Sequence, residues 1–182
     1  RASTYILSIL NEQVGKGAIA LMQGREGRVI LTASDLAYLG RATFSPYVAS
    51  KWAFEGLSEG LAQEVAPYGI RVAIVEPGIT KSAIFAKNVD APNSTGAYEA
   101  HYRRMFQFYA VGIAHATDPF EVGAVVHHAA TTDTPTLRYP CSWGGAEFVT
   151  GRQRMTDEEW VAMGLAENDA QYYAEFNRAF NL

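Results

Sequence analysis

Two apolar runs, Val29-Ile30-Leu31 and Ile70 to Val75, flank a stretch in which Trp52, Leu57, Leu61 and Val65 recur at helical spacing. Each run is apolar enough to be covered on both faces, as strands inside a parallel sheet are. Pro67-Tyr68-Gly69 closes the helical stretch before the second run begins. A strand, a crossover helix and a second strand in one sheet make a right-handed parallel unit. This unit commits the chain to an α/β architecture.

The remaining elements follow from periodicity and caps. Ile6, Leu10, Val14, Ala18 and Leu21 predict a helix over residues 1 to 23, ended by Gly24 to Gly27. Arg28 to Ala33 then reads as an internal strand, and Asp35 to Pro46 as a loop leading into a helix from Tyr47 to Ala66. Residues 81 to 97 hold Asn88, Pro92, Asn93, Ser94 and Gly96 and read as a second loop. A helix with Tyr98, Tyr102, Met105, Phe106 and Tyr109 on one stripe comes next. Asp118-Pro-Phe-Glu121 forms a capping box with proline at the first helical position. Thr136 to Pro140 is a short third strand, Thr156 to Glu159 caps a short helix, and Asp169 to Phe180 is a terminal helix.

Composition excludes several functions. The 182 residues suit one domain with a sizeable core. A net charge of −4 and a pI near 5.6, with no basic stripe, argue against nucleic-acid binding. No apolar run approaches the roughly 18 residues that span a bilayer. Cys141 is the only cysteine, so no internal disulfide forms and a reducing, cytoplasmic setting is expected. His127 and His128 are neighbours and point about 100° apart on a helix. They do not chelate a metal, and no metal site is expected.

Ser34, Tyr47 and Lys51 carry the chemistry. Tyr47 and Lys51 are four apart, on one face of the helix, which sets an ammonium beneath a phenol. Ser34 follows the first apolar run and falls near the C-terminal end of its strand, the edge at which parallel sheets collect ligands. Reduction of a ketone needs an acid beside the carbonyl and a donor that polarises it. Moving a tyrosine from near 10 toward neutrality takes roughly 4 kcal/mol of phenolate stabilisation. Lys51 is expected to supply part of it.

In this order and spacing, Ser34, Tyr47 and Lys51, followed by Pro77-Gly78, resemble the short-chain dehydrogenase/reductase family. The resemblance implies a Rossmann-like, doubly wound parallel sheet and hydride transfer between NAD or NADP and an alcohol or ketone. It implies that Ser34 orients the substrate oxygen, that Tyr47 is the general acid/base, and that Lys51 holds the nicotinamide ribose. Cofactor contacts are implied at Tyr47, Lys51, Pro77, Gly78, Ile79, Thr80 and Ser82. The family's relay asparagine would fall near Leu7 or Ser8, with Asn11 a turn further on. Thr131 to Tyr139, with its Pro-x-x-Arg-Tyr pattern, resembles the hydroxysteroid and retinol dehydrogenase branch and implies an apolar substrate.

The family's glycine-rich dinucleotide loop does not occur in these residues. Residues 1–182 are therefore read as a single partial Rossmann-type domain, the catalytic half. It is truncated to about three C-terminal strands with flanking helices and a helical C-terminal extension. Two functions follow from that reading. One is an NAD(P)-dependent oxidoreductase; the other is a non-enzymatic fragment that folds or oligomerises without binding a dinucleotide. By family analogy, the helices at 1 to 23 and 47 to 66 pair across a two-fold axis into a homodimer or homotetramer.

Overall fold

Six successive residue pairs, from Gly27 with Ile70 to Thr32 with Val75, join the two apolar runs as parallel strands in a computed structural model of the chain. The structure describes residues 17, 19–22, 27–88, 93 and 95–182. The first helix expected from the sequence lies outside these residues except for α1 (Ile19–Met22), and so do Leu7, Ser8 and Asn11.

Strand β1 (Gly27–Thr32) leads through a short 3-10 turn, Asp35–Ala37, to helix α2 (Ser45–Val65). Pro46 fits the first turn of α2, where its missing N–H costs nothing. Gly69 ends the crossover in a left-handed conformation, φ 70°, which glycine adopts without penalty. Strand β2 (Ile70–Pro77) follows, with Ile74, Val75 and Glu76 fully buried. It is the central strand of the order β1-β2-β3, flanked on its far side by β3 (Arg138–Cys141). β2 and β3 are also parallel, from Ile74 with Arg138 to Pro77 with Cys141. The parallel α/β sheet read from the sequence is thus present.

Among the described residues β1 has one strand neighbour, and most of it is only half-buried. The 81 to 97 stretch is not wholly irregular, because Ala83–Asn88 forms a 3-10 helix.

The second half of the chain is helical: α3 (Glu99–Ala114), α4 (Pro119–Thr131), α5 (Gly145–Gln153), α6 (Asp157–Ala162) and α7 (Asp169–Phe180). Asp118 caps α4 by accepting the Phe120 N–H, and Thr156 with Glu159 forms a full capping box on α6. The aromatic stripe of α3 is rotated from the expected one. Met105 and Phe108 are buried, whereas Phe106 and Tyr98 are exposed. Phe108, Phe148, Phe176 and Phe180 pack ring to ring and hold α3, α5 and α7 together. No helix of the described residues is long and apolar enough to cross a membrane.

Candidate active site

A cavity of about 740 Å³ opens at the C-terminal ends of β1 and β2. Ser34 stands just beyond β1, Tyr47 comes from the first turn of α2, and Pro77 to Ser82 come from the end of β2 and the turn after it. Of Ser34, Tyr47, Lys51, Pro77, Gly78, Ile79, Thr80 and Ser82, the cavity wall therefore contains all but Lys51. Phe44, Ile84, Phe85, Met105, Phe108 and Tyr109 make most of the remaining wall apolar.

Ser34 is buried, and its Oγ donates to Asp35 Oδ1 at 2.8 Å while accepting the Leu36 N–H at 3.3 Å. Tyr47 keeps 41% of its surface exposed and so retains a route to solvent. Lys51 lies one turn along α2, with Nζ 5.7 Å from the Tyr47 ring centroid. Its ammonium reaches back to the Thr32 carbonyl oxygen at 3.5 Å, which ties α2 to the end of β1.

Lys51 on its own does not lower the pKa of the phenol. Burial pushes the Tyr47 pKa above its ordinary value, the Ser34 hydroxyl acts in the opposite direction, and the Asp35 charge raises it further. Burial also lowers the Lys51 pKa. The physical reason is position: Lys51 rests on the Thr32 carbonyl, and its partial burial disfavours the ammonium. Asp35 is likewise pushed up to about 6, by burial above all, against the hydrogen bonds it receives from Ser34 and Leu36.

The turn after β2 is fixed from the back. Gly78 N–H donates to Cys141 O at 2.8 Å, and Ile79 N–H donates to Trp143 O at 3.0 Å. A Cβ on Gly78 would collide with the Trp143 carbonyl oxygen and the Gly145 nitrogen, so glycine is required there. Thr117 clasps the same turn: its N–H donates to Ile79 O, and its carbonyl accepts from Lys81 N–H at 2.9 Å. Both backbone groups of Ile79 are consequently engaged within the chain. The ladder bonds to Thr117 come from the residues on either side of Thr80, so the N–H and C=O of Thr80 point away from Thr117. Thr80 Oγ1 pairs with Ser142 Oγ at 2.8 Å.

Sequence reasoning missed several polar groups. Arg41 and Asp35 are buried in the cavity wall, in a segment with no periodicity to mark them. Glu55 and Glu76 are buried behind the site next to Arg138. Glu55 did carry a signal, since it follows Lys51 by four residues on the same helical face. Among the described residues no cluster of ligands suits a metal ion.

A family model for the short chain dehydrogenase matches residues 13–93, the stretch that supplies Ser34, Tyr47, Lys51 and the Pro77 to Ser82 turn. An oxidoreductase of Bacillus subtilis, YusZ, is 32% identical over 137 residues, which cover 72% of this chain and 49% of that protein. Over residues 13–93 the chain matches the short-chain dehydrogenase family. Mouse 17-beta-hydroxysteroid dehydrogenase type 1 is 37% identical over 120 residues, 62% of this chain and 34% of the mouse enzyme. A short-chain dehydrogenase from Streptomyces avermitilis superposes with a TM-score of 0.66 at 27% identity, covering 91% of this chain and 60% of that one. The short-chain dehydrogenase fold also appears in a Burkholderia cenocepacia protein solved in complex with NADP, with a TM-score of 0.60 at 17% identity. The chain thus spans about half the length of YusZ and a third of the mouse enzyme.

Proposed function

We propose that this chain carries the catalytic site of an NAD- or NADP-dependent oxidoreductase that interconverts an alcohol and a ketone. The observation that carries the reading is the shared cavity: the Ser34 hydroxyl, the Tyr47 phenol and the Pro77 to Ser82 turn line one space at the sheet edge. Its largely apolar wall suits a substrate with an apolar body.

A bound nicotinamide dinucleotide supplies the hydride and, when oxidised, a positively charged ring. Thr80 would hold its carboxamide through the backbone N–H and C=O that Thr117 leaves free, with Pro77, Gly78, Ile79 and Ser82 shaping the surrounding turn. Lys51, one turn below Tyr47, would meet the ribose hydroxyls. Ser34 turns its O–H from Asp35 Oδ1 to the substrate carbonyl oxygen and polarises it. During reduction the Tyr47 O–H proton passes to that oxygen, and the phenolate regains a proton through its exposed side. Since burial raises the Tyr47 pKa, Tyr47 is protonated and ready to act as an acid before substrate arrives. In the oxidation direction the positive ring would lower it.

The exposed Trp52 on α2 fits the further reading that this helix packs against a second copy in a homodimer or homotetramer. Light scattering on a sizing column would then give at least twice the chain mass, and a monomer would reject the pairing. The free thiol of Cys141 fits a cytoplasmic enzyme.

The reading is tested by oxidation of NADH and NADPH with the full-length protein and a series of ketones. Tyr47→Phe should cost about 100-fold or more in kcat with the fold intact by circular dichroism. Failure of the wild type to bind or oxidise either dinucleotide would refute it.

A further inference from the structure

Arg41 places a charge in the cavity wall that the hydride-transfer chemistry does not use. It is 6% exposed, and its guanidinium carbon lies 3.7 Å from the Phe108 ring centroid, on a side chain that is itself part of the wall. The Phe176 ring centroid lies 5.1 Å from the same carbon. Among the described residues no hydrogen-bond acceptor and no carboxylate is paired with this guanidinium. Asp35 influences it only from beyond ion-pair contact, and Asp35 Oδ1 already receives Ser34 Oγ and the Leu36 N–H.

A largely enclosed cation with no acceptor among the described residues is costly, and contact with two aromatic faces offsets only part of the cost. Such a group in a cleft marks a place where an incoming partner completes the charge. The planar fork of N–H donors suits a carboxylate, which it can bind through two parallel hydrogen bonds. It is also held in place: Trp160 Nε1 donates to the Gly40 carbonyl at 2.9 Å and anchors the segment beside Arg41. A pre-positioned donor loses little freedom when a ligand arrives.

We propose that Arg41 binds a carboxylate on the substrate, so that the site takes an oxo or hydroxy acid with an apolar body. The assignment rests on the hydride-transfer reading only for the word substrate; the carboxylate subsite stands on the geometry. Phe85 and Met105 would receive the apolar body between the Arg41 end and Ser34.

The test measures calorimetric binding of 5-oxohexanoate and its methyl ester to the full-length protein. The acid should bind about tenfold more tightly than the ester. Arg41→Met should bring the two within about twofold, and Arg41→Lys should keep part of the preference. Equal binding of acid and ester by the wild type overturns the proposal, as does an acid preference that survives in Arg41→Met. Absence of acid binding up to about 10 mM overturns it too. If Arg41→Met fails to fold, the wild-type ratio and the Arg41→Lys variant decide. NADH and NADPH oxidation with both probes separates this from the enzyme reading. Acid-selective binding without turnover retains the subsite and removes the oxidoreductase, whereas turnover with the ester preferred does the reverse.

Discussion

Glu55 and Glu76 share one guanidinium: Arg138 Nε lies 3.1 Å from Glu55 Oε2 and 3.6 Å from Glu76 Oε1. Arg138 also bonds Glu59, so a single cation serves three carboxyl groups. Glu55 Oε1 and both Glu76 oxygens are buried without a hydrogen bond among the described residues. A proton held between Glu55 and Glu76 relieves both the missing bond and the excess charge.

The pair makes stability fall as pH rises. Burial, followed for Glu76 by the charge of Glu55, raises both carboxyl pKa values well above the ordinary 4.5. Below 4.5 the carboxyls are protonated folded or unfolded and no penalty exists. As pH climbs from there through neutrality, the unfolded chain loses these protons first, so stability is progressively lost. Urea unfolding followed across this range should show the decline. Glu76→Gln should flatten it and stabilise the protein by about 1–2 kcal/mol on the alkaline side.

The Tyr47 phenol should titrate above 10 in the protein without dinucleotide, because burial opposes its charged form. The difference in tyrosinate absorbance between wild type and Tyr47→Phe measures this directly. Addition of oxidised NAD or NADP should move the titration to lower pH. A phenol that ionises near neutrality without dinucleotide would contradict the geometry around Lys51.

Gly78→Ala should misplace the turn that closes the cavity, since the new methyl meets backbone atoms of Trp143 and Gly145 that belong to a hydrogen-bonded layer. We expect a stability loss of about 1–3 kcal/mol and a larger proportional loss in NAD(P)H binding, read by fluorescence.

Phe148→Ala removes a ring that is 1% exposed and packs against Phe108, Phe176 and Phe180. The expected cost is about 3–5 kcal/mol by denaturant melting. As Phe108 supports Arg41, the cavity should loosen in the same variant.

The strand-helix-strand unit was legible because its patterns are local: two apolar runs, a helical period and a glycine stop. Asp169–Phe180 and the Thr156 cap were legible for the same reason. The α3 face was not, because adjacent aromatics offer several stripes and tertiary packing chose Met105 and Phe108 over Phe106. Arg41 was hidden in a segment where no period exists to separate buried from exposed positions. The direction of the Tyr47 shift was also beyond the sequence. The four-residue spacing to Lys51 gives proximity, while desolvation depends on what the finished fold places around both groups.

The Thr117 clasp bears on how such chains recombine. Thr117 lies outside the 13–93 stretch that matches the family model, yet it holds Ile79 and Lys81 by backbone bonds and accepts the Trp143 N–H on its own hydroxyl. A chimera joined just after residue 93 would keep Ser34, Tyr47, Lys51 and the Pro77 to Ser82 turn from one parent and inherit the brace for that turn from the other. Parents that lack a hydroxyl at this position should give hybrids that fold but lose the bond from the Trp143 N–H behind the turn. A join placed beyond Trp143 would carry turn, clasp and back wall across as one heritable block.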